Sequence, residues 1–182
     1  VCSSDLHTLV YCGPGEVDLI TKNLADLGYR VHRFDSAVPL KERMKILEAF
    51  DQGYIQILVA IKCLDEGVDV PSTREAYFLA STSNPREFVQ RRGRILRKYA
   101  NKNLAVIYDF IVLPTNAGDQ MYKSIASKEL PRFAEFSRYA INHFNAREIV
   151  GKELKRYSLE YLMDKLPWDV YNEFKNKLGV AE

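Results

Sequence analysis

The segment that most restricts the fold is Ile55–Ile61, whose sequence IQILVAI carries a single polar side chain. A strand with one face in water would alternate apolar and polar residues, and this segment does not. A nearly continuous apolar run of this length is typical of a parallel strand that helices cover on both faces. The segment therefore predicts an α/β protein with a buried sheet.

Strand and helix patterns alternate on either side of this run. Four other short segments predict strands: His7–Cys12, Arg30–Phe34, Ala76–Ala80 and Leu104–Phe110. Three segments with helical spacing lie between them: Val17–Leu27, Leu40–Asp51 and Pro85–Arg94. Asn84 suits the cap of the third helix, and Pro85 suits its first position. The alternation predicts a mostly parallel sheet flanked by helices.

The pattern changes after Pro114, where only helices are predicted. They are Asp119–Phe144, Glu153–Met163 and Trp168–Leu178. Pro131 is expected to break or kink the first, because proline lacks a backbone donor and clashes with the preceding turn. Five aromatic residues are expected to form a packing face rather than a base-stacking platform: Tyr122, Phe133, Phe136, Tyr139 and Phe144. We predict two domains, a sheet domain over residues 6–114 and an all-helical extension over residues 115–182.

Composition excludes several other classes of protein. Hydrophobic residues make up 47% and charged residues 27% of the chain, as in globular domains. No apolar run approaches the roughly 20 residues that a membrane helix needs. Three scattered cysteines and the lack of a signal peptide lead us to expect a reduced, cytoplasmic protein. The sequence begins at Val1 rather than at a methionine, and we expect it to be part of a longer chain.

The chain has no loop of the kind that cradles nucleotide phosphates. Its one Gly-Lys pair, Gly151-Lys152, lacks the first glycine and the final hydroxyl of the G-x-x-x-x-G-K-[ST] pattern. Gly13-Pro14-Gly15 resembles the start of a dinucleotide loop, but Asp18 replaces the third glycine and Pro14 has no amide, so we interpret it as a turn. The sequence predicts a parallel sheet without its own primary nucleotide site.

An arginine cluster follows the fourth predicted strand. Four arginines lie within the seven residues Arg91–Arg97, and the net charge of the chain is only +2, so this clustering is local. Arg94 and Arg97 would share a face of a helix, or would leave from a turn if Gly93 ended that helix. Two guanidinium groups in either arrangement suit the oxygens of a phosphate. The alternative is a solvated basic helix, which is the commoner explanation of such a cluster taken alone.

A polar loop, Lys62–Asp69, follows the apolar strand. Ligands of open α/β sheets gather beyond the C-terminal ends of the strands, so this loop is a candidate binding segment. Asp65 and Glu66 lie too far beyond the strand to be the magnesium-binding pair of a nucleotide hydrolase. The alternatives to ligand contact are a capping role for Asp69 and a solvated position for Lys62.

These features occur in a fixed order, and together they resemble the C-terminal RecA-like domain of superfamily-two helicases and translocases. Motif IV of that family is similar to Leu9–Gly13, and motif V is similar to Val59–Pro71. Motif VI, Q-x-x-G-R-x-x-R, is matched at Gln90, Gly93, Arg94 and Arg97. The sequence QRRGRILR, with a strand and Asp109-Phe110 after it, most resembles the DNA-directed restriction and repair branch. The RNA-directed DEAD-box branch has histidine where Gln90 stands.

The resemblance implies a nucleotide site shared with another domain. Arg94 and Arg97 would be arginine fingers on the γ-phosphate of ATP, and Gln90 would line the same interface. Gly67 and Asp69 would lie beside the ribose and the water network that couples hydrolysis to movement. ATP and Mg²⁺ would be held mainly by an N-terminal RecA-like domain of the same chain.

The resemblance also implies half of a nucleic-acid groove. The backbone around Gly13, together with Lys62 and Cys63, would contact the sugar-phosphate backbone, with a single strand of DNA favoured over RNA. Two other functions are weighed against this one. A non-enzymatic nucleic-acid or protein-binding module would not need the paired Arg94 and Arg97. A small-molecule α/β enzyme would need a phosphate loop or a nucleophile–base arrangement, and the sequence shows neither.

Overall fold

The computed structural model describes residues 7–61, 69–79, 84–113, 120–155 and 157–178. These residues contain five strands: β1 (Thr8–Tyr11), β2 (Val31–Phe34), β3 (Ile57–Ala60), β4 (Glu75–Phe78) and β5 (Val106–Asp109). The helices are α1 (Val17–Asp26), α2 (Leu40–Asp51), α3 (Pro85–Ile95), α4 (Gln120–Arg138), α5 (His143–Lys155) and α6 (Pro167–Leu178), with a 3₁₀ helix at Glu160–Met163. Each predicted strand overlaps an observed one.

The five strands form one sheet in the order β2-β3-β1-β4-β5, and all four neighbouring pairs are parallel. In the centre of the sheet, Val10 is in register with Val59 on one side and with Tyr77 on the other. All four residues of β3 are buried, as the apolar run predicted. The predicted α/β fold with a parallel, RecA-like sheet is therefore confirmed.

The two faces of the sheet are covered by different side chains, because successive residues of a strand point to opposite faces. Val10, Ile57 and Val59 form a core with Val17 of α1, and Ile20 and Leu24 of the same helix pack against it. The opposite face carries Leu9, Tyr11, Leu58, Ala60, Ala76 and Phe78, none of which is more than 1% exposed. A fully buried aliphatic or aromatic side chain contributes roughly 1.5–3 kcal/mol, so this double burial dominates the stability of the sheet.

The topology creates a switch point between β1 and β4. The connection after β1 leads through α1 to β2 on one side of the sheet, and the connection after β4 leads through α3 to β5 on the other. In open parallel sheets, ligands bind in the crevice beyond the C-terminal ends of two such strands. Here those ends are Tyr11 and Phe78, whose rings are stacked with centroids 4.9 Å apart.

A second compact unit contains the helices that follow the sheet. The described part of the first unit lies within Val1–Ser81 and Val89–Phe110, and that of the second within Thr82–Phe88 and Ile111–Glu182. The core of the second unit comprises Ala126, Leu130, Phe133, Leu154, Leu159, Leu162 and Met163. Phe88, in the first turn of α3, makes an edge-to-face contact with Phe136. The boundary predicted at residues 114 and 115 stays a prediction.

The helices of this unit contradict two sequence expectations. Pro131 lies inside α4, which continues to Arg138, so the expected break at Pro131 is wrong, whereas the kink stays a prediction. Burial on both sides of Pro131, at Leu130 and Arg132, offsets the roughly 3 kcal/mol that an interior proline costs. The single helix predicted for Glu153–Met163 is wrong, because α5 ends at Lys155 and Ser158 takes a positive φ of 54° before the 3₁₀ helix.

The aromatic residues of this region do not form one packing face either. Phe133 and Phe136 are each only 8% exposed, as expected. Tyr139 and Phe144, by contrast, are 67% and 80% exposed, because the chain turns between α4 and α5 at this point. The side chain of Tyr122 lies outside the described residues.

Candidate nucleotide and nucleic-acid site

Helix α3 and the short segment that follows it carry the predicted phosphate-binding arginines. The side-chain Oδ1 of Asn84 accepts a hydrogen bond from the Arg86 amide at 3.0 Å, which confirms Asn84 as the cap of this helix. The helix continues through Gly93 and ends at Ile95. Arg94 is therefore in its last turn, whereas Arg97 lies two residues beyond its end. The prediction that Arg94 and Arg97 share a helical face is therefore wrong, and so is the alternative in which Gly93 ends the helix.

Gly93 lies in the exposed part of this helix. A Cβ built at this residue would meet no heavy atom within 4 Å. The local packing therefore does not require glycine, and the surface beside it is open to the close approach of another molecule. Gln90, which precedes it by nearly one turn, is also exposed.

Two predicted site residues, Asp69 and Arg97, form an ion pair. The Nη1 atom of Arg97 donates to the Oδ2 atom of Asp69, although the two residues are 28 positions apart in the sequence. Their side chains are 51% and 43% exposed, respectively. Ion pairs with this much solvent contact contribute about 0–1 kcal/mol to stability, so the pair can be exchanged for a ligand at small cost. It holds the Arg97 guanidinium beside Asp69, in the last part of the segment that resembles motif V.

The burial of Arg91 contradicts the alternative interpretation, a solvated basic helix, at this residue of the arginine cluster. It is only 6% exposed, and its guanidinium carbon lies 5.3 Å from the centroid of the Tyr11 ring. Tyr11 in turn stacks on Phe78, so Arg91 joins α3 to the C-terminal ends of β1 and β4. No sequence signal distinguishes Arg91 from its neighbours, since burial here depends on the packing of α3 against the sheet.

We expect Arg91→Ala to lower the free energy of unfolding by about 2 kcal/mol, the contribution of a desolvated cation–π contact. Chemical denaturation of the purified chain measures this. Arg86→Ala is the matched control, because Arg86 is an exposed residue of the same helix. Equal stability of the two variants would contradict the anchoring role.

Gly13, predicted to contact a nucleic acid, follows β1 at the switch point. Its amide donates to the Oε2 atom of Glu16 at 2.6 Å, which closes the turn before α1. A phosphate at this amide would have to displace the Glu16 carboxylate. The preceding residue, Cys12, is buried, and burial raises the pKa of its thiol to about 11, so the thiol is protonated at neutral pH. Lys62, Cys63 and Gly67 lie outside the described residues.

In the part of the chain that the structure describes, no three side chains of the metal-binding types come together. No helix among the same residues combines the length and apolar character that crossing a membrane requires.

A parallel five-stranded sheet, with an arginine-bearing helix packed at its switch point, has the architecture of a RecA-like domain. Residues 5–99, just over half of the chain, match the family described as the helicase conserved C-terminal domain. The chain belongs to this family, which is that of the C-terminal domain of superfamily-two helicases, including the DEAD-box proteins.

Three known proteins illustrate the similarity. The DNA 3'-5' translocase XPB2 of Sulfurisphaera tokodaii is 42% identical over 65 residues, which are 36% of this chain and 15% of that protein. The ATP-dependent RNA helicase RhlB of Proteus mirabilis is 38% identical over 77 residues, 42% of this chain and 18% of that protein. The crystal structure of the C-terminal part of the Fun30 ATPase domain covers 91% of this chain and 48% of its own, with a TM-score of 0.54 and 14% identity, and it shows the fold alone.

The two curated relatives differ in a way that bears on the sequence expectations. This chain covers less than a fifth of the length of either one. One is named for DNA translocation and the other for RNA unwinding, so the expected DNA restriction and repair branch is not confirmed by these similarities.

Proposed function

We propose that this chain is the second motor domain of an ATP-dependent DNA helicase or translocase. The observation that carries the proposal is the ion pair between Arg97 and Asp69. Arg94, which lies three residues before Arg97, is in the last turn of α3. A structural ion pair needs one arginine, whereas this segment offers a second guanidinium at Arg94, one residue before the end of α3. Charge developing on a transferred phosphoryl group is stabilised by such preorganised donors.

The nucleotide site is shared with an N-terminal RecA-like domain that holds most of the ATP and the Mg²⁺. The described residues fit a partial site, because they contain no phosphate loop and no carboxylate cluster for a metal ion. Arg94 and Arg97 act as arginine fingers on the γ-phosphate, Gln90 lines the interface, and Asp69 and Gly67 lie near the ribose. Arg97 reaches the phosphate by leaving Asp69, which an exposed ion pair permits.

The nucleic-acid groove is formed in part by the amide of Gly13 and by Lys62 and Cys63. A lysine just beyond a strand contacts phosphates without reading sequence, as a translocating motor requires. DNA is favoured over RNA by Gln90 and by the sequence from QRRGRILR to Asp109-Phe110. The similarity to a DNA translocase supports the same choice. A cytoplasmic location is part of this proposal.

The alternative is a non-enzymatic binding module with the same fold. It is favoured by the surface exposure of the Arg97–Asp69 pair, which a regulatory partner could also contact. The two functions predict different effects of removing Arg94. If this chain is only a binding module, loss of Arg94 should leave ATP hydrolysis by the full-length protein unchanged.

We expect this chain alone to fold but not to hydrolyse ATP, because it supplies arginines without a phosphate cradle or a magnesium carboxylate. It should bind single-stranded DNA weakly, and that binding should weaken as salt increases. Steady-state ATPase assays and titrations with DNA and RNA of one sequence measure both properties. Robust DNA-stimulated turnover by this chain alone would contradict the shared site, and tighter binding of RNA would contradict the DNA preference.

A further inference from the structure

Lys102 lies in the turn that follows α3, and its ammonium group contacts three backbone carbonyls. The Nζ atom donates to the Ile95 oxygen at 2.5 Å, to the Pro71 oxygen at 3.1 Å and to the Arg97 oxygen at 3.1 Å. A lysine ammonium has three donors and no acceptor, so these carbonyls use its full capacity. Such an arrangement is uncommon for a lysine on a turn, where the ammonium group is usually solvated.

The three carbonyls come from the two segments that carry the ion-paired site residues. Ile95 is the last residue of α3 and Arg97 is itself a site residue, while Pro71 follows Asp69 by two positions. The positive charge also lies at the C-terminal end of α3, where the helix dipole favours a cation. One side chain therefore connects the backbone of Arg97 to the backbone beside Asp69.

The turn that holds Lys102 is fixed on its other side as well. Asn101 takes a left-handed backbone conformation with φ of 57°, and its carbonyl accepts a hydrogen bond from Nη1 of Arg74 at 3.1 Å. The Tyr99 hydroxyl donates to Oδ2 of Asp51 at 3.0 Å, at the end of α2. Lys102 is thus held from outside the arginine segment, so its ammonium can position that segment rather than follow it.

The charge environment of Lys102 matches this role. Burial, followed by the nearby Arg74, lowers the pKa of the Lys102 ammonium, and Asp69 opposes this effect. A partly buried ammonium group loses some of its solvation, and the three carbonyl contacts offset that loss. An exposed lysine of the same turn, Lys98, offers a direct comparison.

We propose that Lys102 is a positioning residue that fixes the backbone of Arg97 relative to Asp69, and thereby places the Arg97 guanidinium for phosphate contact. This inference rests on the proposed function for its effect on catalysis. Its structural part, the ordering of the Arg97 turn, does not. A methionine at this position keeps the apolar stem and removes all three hydrogen bonds, so Lys102→Met is the variant that tests it.

The catalytic test uses the full-length protein that contains this chain, with nucleic-acid-stimulated ATPase as the readout. Lys102→Met should lower kcat by about 10²-fold, the loss typical of a 1 Å misplacement, while KM for ATP stays within about twofold. The double variant Lys102→Met/Arg97→Ala should be no slower than Arg97→Ala alone, because Lys102 acts through Arg97. Lys98→Met should match the wild type. Additive losses in the double variant, or a raised KM with unchanged kcat, would overturn the proposal.

Hydrogen exchange in the same protein separates this inference from the proposed function. Lys102→Met should speed exchange in peptides covering residues 70–73 and 95–102, while Lys98→Met should not. Unchanged exchange there would overturn the assignment of Lys102 even if Arg97→Ala abolished hydrolysis. Normal hydrolysis in Arg97→Ala would instead refute the proposed function, whereas faster exchange in Lys102→Met would still support the ordering of the Arg97 turn by Lys102.

Discussion

Arg94→Ala in the full-length protein is expected to lower nucleic-acid-stimulated ATP turnover by about 10³–10⁵, the contribution of an arginine finger in related phosphoryl transfer. This corresponds to roughly 4–7 kcal/mol of transition-state stabilisation. The fold should be unaffected, because Arg94 lies in the last turn of a helix that Arg91, Phe88 and Ile95 anchor by burial. Affinity for DNA without nucleotide should change little, because the proposed function places Arg94 on the nucleotide and not on the nucleic acid.

The controls for Arg94 follow from the burial of its neighbours. Arg94→Lys should also fail, because an ammonium cannot reproduce the planar two-pronged donor of a guanidinium. Arg86→Ala should retain turnover, as an exposed arginine of the same helix. Arg91→Ala is unsuitable as a control, because its loss destabilises the domain. Near-normal turnover in Arg94→Ala, or equal losses in Arg94→Ala and Arg86→Ala, would favour the binding module instead.

Glu129→Ala is expected to lower the free energy of unfolding by up to about 3–5 kcal/mol, because it removes a carboxylate that pairs with a buried arginine. Arg132 is only 1% exposed, and its Nη2 atom donates to Oε2 of Glu129 at 2.9 Å. The Glu129 side chain is itself 15% exposed, so solvent cannot replace the carboxylate. Denaturant unfolding followed by circular dichroism measures the change.

Two further variants serve as controls for the Glu129→Ala prediction. Glu148 pairs with Lys152 in the next helix, but both side chains are more than 60% exposed, so Glu148→Ala should leave stability nearly unchanged. The double variant Glu129→Gln/Arg132→Met removes both charges and should recover most of the loss, since apolar replacement of a buried pair is often neutral. A Glu129→Ala variant as stable as Glu148→Ala would show that the Arg132 charge needs no carboxylate partner.

The arrangement of strands and helices in the sheet unit could be predicted from the sequence because local signals agree there with tertiary packing. Ile57–Ala60 is apolar throughout because β3 is buried on both faces, and Asn84-Pro85 begins α3 because the amides of a first turn need a side-chain acceptor. In the helical unit, Pro131 misled the prediction because its local cost is outweighed by the burial of residues around it.

For the candidate site as well, some features could be predicted from the sequence and others only from the structure. The residue types of motifs V and VI and their order along the chain were evident from the sequence by itself, and so was the parallel sheet that carries them. Only the tertiary structure showed that Arg91 is a buried anchor, that Arg97 pairs with Asp69 and that Lys102 joins the two segments. These contacts join residues far apart in the chain, and a charged residue has the same local pattern whether packing buries it or leaves it in water.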